Sequence, residues 1–134
     1  MTAMEPDGVN LKVPFRAPSA SLVRHELKDW LQERGFVGEP LDDARVVVSE
    51  LVGNSVRHAA PLPVNDIFVS WCLDDGDLVI SVSDGGSTTS SPHSVEASRQ
   101  AISGRGLSIV EALAERWWVE DDRGRTTVHV RIPL

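Results

Sequence analysis

One stretch restricts the fold more than any other. Ile67, Val69, Trp71 and Leu73 alternate with Phe68, Ser70 and Cys72, and Leu78, Ile80 and Val82 follow at the same spacing. Between them lies Asp74-Asp75-Gly76-Asp77, a tight turn with glycine where positive φ is needed. Period-2 runs joined by so short a turn form a β-hairpin. A hairpin is antiparallel, so a purely parallel doubly wound sheet is excluded.

The remaining segments fit around that hairpin. Val9, Leu11, Val13 and Phe15 alternate with polar residues and predict a strand, with Pro14 placing it at an edge or near its end. Ser19 or Ser21 can cap a helix running to about Arg34, with Leu22, Val23, Leu27, Trp30 and Leu31 on one face. Gly35 ends it. Pro40 opens a second helix, with Asp42 and Asp43 in its first turn. Ala44, Val47, Val48, Leu51 and Val52 form its apolar stripe to about Ala59. A third helix follows Gly106, with Leu107, Val110, Leu113, Ala114 and Trp117 on one face. Trp118 to Glu120 and Thr127 to Ile132 predict a last hairpin turned at Asp121 to Gly124. The order β, α, α, β, β, α, β, β predicts a two-layer α/β sandwich. Its sheet is mixed or mostly antiparallel, with the helices on one face.

A chain of 134 residues is one domain in size. Residues 1–8 are expected to be a flexible tail and 9–134 a single domain. Residues 85–103 are rich in Ser and Thr and show no periodicity. So long a stretch inside a compact domain points to a functional lid, with a helical turn near Glu96 to Ile102. The net charge of −7 makes a poor general nucleic-acid binder. It leaves nucleotide binding open. One cysteine, Cys72, excludes an intrachain disulfide. The absence of a signal-like N-terminus and of a membrane-spanning run gives the expectation of a cytoplasmic protein away from the membrane.

Three groups of residues carry chemistry. Glu50, Asn54 and His58 stand at i, i+4 and i+8 and share one helix face, with Arg57 beside them. An amide oxygen is a hard ligand for Mg²⁺, and a carboxylate one turn away can take a proton from a hydroxyl. A solvated polar face has the same letters. Asp84-Gly85-Gly86 follows a strand, where a carboxylate can meet a flat base and glycine admits a ring. A loop turn would also explain it. Gly104-Arg105-Gly106-Leu107 precedes a helix, whose free N–H groups suit an anion. The third glycine of a dinucleotide fingerprint is missing, because position 109 is Ile109.

Taken together, these groups resemble the GHKL superfamily of histidine-kinase-like ATPases, which share the Bergerat ATP-binding fold. Glu50 to Ala59 is similar to the N box, Asp84-Gly85-Gly86 to the G1 box, and Gly104 to Leu107 to the G2 box. The pieces V-V-S-E-L-V-x-N-x-V-R-H-A, G-R-G-L-x-I-V and A-L-A-E-R-W resemble the anti-sigma-factor serine/threonine kinase group. The resemblance covers residues 19–134. It implies ATP and Mg²⁺ as cofactors, with Asn54 holding the metal and Glu50 acting as general base. Asp84 would accept a hydrogen bond from the adenine amino group, and Gly86 would admit the ring. Gly104, Arg105, Gly106 and Leu107 would serve the phosphates, helped by Arg57 or His58. Thr127 would support Asp84 or a water at the adenine. The fuller G1 pattern has a second glycine where this chain has Thr88. The implied activity is phosphorylation of an anti-anti-sigma-type protein on Ser or Thr, with a sigma factor as a second partner and homodimerisation. A docking regulator without catalysis and a simple ATPase are the alternatives.

Overall fold

A computed structural model describes residues 8–86 and 108–134. The elements are β1 (Gly8–Pro14), α1 (Ser19–Glu33), α2 (Glu39–His58), β2 (Asp66–Asp74), β3 (Asp77–Asp84), α3 (Ser108–Leu113), β4 (Arg116–Asp122) and β5 (Arg125–Pro133). The strands form one five-stranded sheet in the order β1-β2-β3-β5-β4, with every neighbouring pair antiparallel. The predicted sheet is therefore antiparallel throughout its described part. β1 is an edge strand, and Pro14 sits at its last position opposite Asp66.

The alternation seen in the sequence becomes two faces. Ile67, Val69 and Trp71 of β2, Leu78, Ile80 and Val82 of β3, and Val128, Val130 and Ile132 of β5 are buried on one side. Val23, Leu27 and Leu31 of α1 and Val47, Val48, Leu51 and Val52 of α2 complete the core against them. Burying each such side chain stabilises the fold by about 1.5–3 kcal/mol. The other sheet face carries polar groups together with the rings of Phe68 and Trp118. Ser81 and His129 share a hydrogen bond of 2.7 Å there, and Trp118 stacks on His129 with ring centroids 5.0 Å apart.

Local details depart from expectation in three places. α1 begins without a side-chain cap, because the Ser19 hydroxyl donates to the Pro14 carbonyl at 2.6 Å. That bond ties the helix start to the end of β1. Phe15 lies just beyond the strand. α3 is short, and Trp117 belongs to β4 instead of the helix. Its periodic spacing suits both, but Glu115 N–H already bonds the Arg131 carbonyl at 2.8 Å, which starts the β4–β5 ladder. Pairing in a sheet overrides a marginal helical pattern. Among the described residues no helix is long and apolar enough to cross a membrane.

Candidate functional site

α2 and the end of β3 build the site together. α2 runs for 20 residues with Glu39 and Asp42 near its start and Arg57 and His58 in its last turn, all favourably placed for the helix dipole. Pro40 lies in the first turn, where its missing N–H costs nothing. Asn54 stands on the border of the buried stripe and is only 1% exposed. Its Nδ2 donates to the Glu50 carbonyl at 2.8 Å. This local bond fixes the amide, an arrangement open to Asn inside a helix. It leaves Oδ1 buried with no hydrogen-bond partner among the described residues. An orphaned buried acceptor costs about 1–3 kcal/mol unless something binds it. Glu50, one turn before Asn54, is half-buried, and Arg57 and His58 are exposed. The predicted polar face therefore splits into a buried amide, an accessible carboxylate and two exposed basic groups.

Asp84 closes β3 and is 2% exposed. Its Oδ2 accepts from the Ser55 hydroxyl at 2.5 Å, and its Oδ1 accepts from the Gly86 N–H at 2.8 Å. A buried carboxylate needs such donors, since burying an unpaired charge costs far more. Ser55 follows Asn54 on α2, so one helix turn orients both the amide and the carboxylate.

The two glycines after Asp84 do different work. Gly86 has φ +87°, which disfavours any side chain. Gly85 is held against the chain leaving α2: its N–H bonds the Ala60 carbonyl at 2.7 Å, and Ala60 N–H bonds the Gly86 carbonyl at 2.9 Å. A Cβ at Gly85 would lie 2.3 Å from the Pro61 carbonyl oxygen. The Asp-Gly-Gly turn is thus locked to the C-terminal end of α2.

Thr127 requires a correction. It lies on β5, the last strand, and its register partner is Ser83. Their hydroxyls share a hydrogen bond of 2.7 Å. Asp84 is paired instead with Thr126. Side chains alternate along a strand, so Thr126 and Asp84 share the helix-facing side and Thr127 points to the other. Thr126 Oγ1 lies 3.1 Å from where a Gly86 Cβ would be and donates to Asp121 at 2.5 Å. Sequence reasoning also missed Ser55 and Gly85. The doubled glycine after Asp84 was the available signal for Gly85, and Ser55 offered none.

Gly104, Arg105, Gly106 and Leu107, the lid from 87 onward with its expected helical turn, and residues 1–7 of the expected tail lie outside the described residues. β1 already includes Gly8. A cavity of about 700 Å³ opens on the far side of the Asp-Gly-Gly turn, bordered by Lys12, Phe68, Gly85 and Arg125. Glu50, Asn54 and Asp84 are not part of its lining.

Known proteins share this architecture. Residues 13–132 match the family model described as a histidine kinase-like ATPase domain. The chain is 29% identical to the serine-protein kinase RsbW of Listeria monocytogenes, over 91% of this chain and 85% of that one. It is 25% identical to RsbW of Bacillus mycoides, over 90% and 81%. The crystal structure of the RsbU and RsbW domains of Rv1364c from Mycobacterium tuberculosis superposes with a TM-score of 0.73 at 26% identity. That match covers 95% of this chain and 32% of the longer mycobacterial one. The structure of the SiaB–SiaC complex from Pseudomonas aeruginosa shares the fold with a TM-score of 0.64 at 14% identity, over 92% and 88% of the two chains. The helix-borne Glu50 and Asn54, the buried Asp84 and the family match agree: this chain belongs to the histidine kinase-like ATPase domain family.

Proposed function

We propose that this chain is an ATP-dependent serine/threonine protein kinase of the anti-sigma-factor type. Its substrate is the Ser or Thr hydroxyl of an anti-anti-sigma-type protein. The serine-protein kinase name of its RsbW relatives supports the reaction class. The observation that carries the reading is the pairing on α2. Ser55 orients the buried Asp84, while Asn54 presents a buried, unpartnered amide oxygen. A pure docking module would have no need to hold either group in that state. A sigma factor as second partner, a homodimer and a cytoplasmic setting complete the proposal by family resemblance.

Each residue has a defined task. Asp84 accepts a hydrogen bond from the adenine amino group, and Gly86 lets the ring come close. Thr126 takes the supporting place first expected for Thr127. Gly104, Arg105, Gly106 and Leu107 serve the phosphates, with Arg57 and His58 as basic groups on α2. Asn54 Oδ1 fits Mg²⁺, because it is a hard oxygen ligand with a free lone pair. The metal would supply charge neutralisation on the triphosphate. Glu50 takes the proton from the acceptor hydroxyl. The hydroxyl oxygen forms the new bond to the γ-phosphorus, the β–γ bridging bond breaks, and ADP leaves with its electron pair. Such transfer depends on positioning and charge more than on covalent chemistry by the protein.

The test separates base from binding site. Labelled ATP is incubated with Glu50→Gln and with wild type, each with an anti-anti-sigma-type protein, and ATP binding is followed by calorimetry. Loss of transfer with binding retained supports the proposal. Transfer that survives in Glu50→Gln removes Glu50 as the base. Phosphate release at one rate with or without the partner would make the chain a simple ATPase, and nucleotide binding without any turnover a docking regulator.

A further inference from the structure

Gly53 is anomalous. It lies in the middle of α2, where glycine costs about 1 kcal/mol against alanine. Its backbone is helical, so no unusual φ requires it. The three atoms nearest to a Cβ built there all belong to the Arg57 guanidinium, Nη1 at 3.2 Å and Cζ and Nη2 at 3.8 Å.

Helix geometry explains the contact. Side chains lean toward the helix N-terminus, so residue 57 covers the surface one turn earlier, over residue 53. Glu50 and Gly53 are three apart, Glu50 and Asn54 four, Asn54 and Arg57 three, and Gly53 and Arg57 four. These four residues form one contiguous patch. Within it, Gly53 is the gap, and the guanidinium lies in that gap. The patch thus holds the proposed base, the proposed metal ligand and a cation.

Phosphate charge gives the gap a purpose. The sequence from 85 to 107 contains no Lys, and its guanidinium groups are those of Arg99 and Arg105. A cation on α2 near Asn54 would add to theirs. We propose that Gly53 is a positioning residue whose missing side chain seats the Arg57 guanidinium beside Glu50 and Asn54, where it meets the triphosphate of bound ATP. The inference rests on the nucleotide reading above and adds to it how the cation is placed. Arg suits the task because its flat, delocalised head gives several donors to phosphate oxygens.

Two substitutions at position 53, each combined with Arg57→Gln, test it. Gly53→Ala shifts the guanidinium by a few tenths of an ångström, whereas Gly53→Leu fills the seat. Both remove the glycine penalty, so the melting temperature should rise. ATP affinity should fall about twofold for Gly53→Ala and about tenfold for Gly53→Leu, the scale of one charge-assisted contact. In the Arg57→Gln background both position-53 changes should leave affinity unaltered, while Arg57→Lys should restore part of the loss seen in Arg57→Gln. A merely structural role would not set stability and affinity against each other. Unchanged affinity in Gly53→Leu would overturn the proposal. So would an equal loss in the Arg57→Gln background, which would show that Gly53 admits the nucleotide directly. Failure of wild type to bind ATP would overturn the nucleotide reading itself.

Discussion

The Ser55 hydroxyl donates to Asp84 Oδ2 at 2.5 Å, across 29 positions of sequence and out of contact with solvent. It joins the helix that carries Glu50 and Asn54 to the strand end that carries Asp84, the carboxylate proposed to meet the adenine. Ser55→Ala removes the donor and leaves a buried carboxylate oxygen short of one partner. The expected loss is about 1–3 kcal/mol of stability. ATP affinity should fall as well, because Ser55 no longer orients the carboxylate. Asp84→Asn should lose ATP binding more completely, since it replaces one acceptor oxygen by a donor. Thermal melts and calorimetry on both variants check the two effects separately.

Gly85 carries a steric prediction. Its missing Cβ would stand 2.3 Å from the Pro61 carbonyl oxygen, which is backbone and has no rotamer to escape into. Gly85→Ala must push the Asp-Gly-Gly turn off the end of α2 and break the Gly85–Ala60 bond of 2.7 Å. The cost should be about 3 kcal/mol, at the upper end of overpacking effects. Gly76→Ala is the comparison: its φ of +83° strains any side chain, but nothing lies within 4 Å. Denaturant titration should place Gly85→Ala well below Gly76→Ala.

The neighbouring threonines separate by face. Thr126→Val keeps the shape but loses the hydroxyl beside Asp84 and Gly86, so ATP affinity should fall about threefold to tenfold, the value of one hydrogen bond. Thr127→Val loses only its bond to Ser83 on the opposite face. Its stability should fall slightly and its ATP affinity should hold. Calorimetric titration of the two variants decides the matter, and the reverse ranking would refute the register argument.

How far the sequence reaches is clear from such residues. The hairpin of Ile67 to Val82, the stripe on α2 and the Glu50–Asn54 spacing are short-range patterns, and short-range patterns survive folding. Trp117 was misplaced because helical and extended spacing both fit it, and only its pairing with Val130 on β5 decides. Thr126 and Thr127 are adjacent, and a one-residue slip in register exchanges the two sheet faces. Ser55 gives no local hint of Asp84, since the bond between them is made by tertiary packing. Burial of Asn54 was equally hidden: its position borders the apolar stripe, and only the packed core shows on which side it falls.

Asn54 gives the sharpest contrast between stability and function. Its Oδ1 is buried without a partner in the described structure, so the amide costs free energy that the fold does not recover. Asn54→Ala removes that orphan together with the Nδ2 bond to the Glu50 carbonyl. The two losses oppose each other, and alanine is the better helix former. The variant should therefore melt within about 1 kcal/mol of wild type, a shift of roughly 4 °C or less. Binding should respond differently. Wild type should bind ATP more tightly with Mg²⁺ than with chelator, because Oδ1 would donate its open lone pair to the ion. Asn54→Ala should bind equally in both conditions and show no phosphotransfer. Asn54→Asp should keep a metal response, since a carboxylate is also a hard ligand. Calorimetry with Mg²⁺ and with chelator reads all three. A Mg²⁺ response that persists in Asn54→Ala would mean that another group holds the ion, and the unpartnered oxygen would need a different explanation.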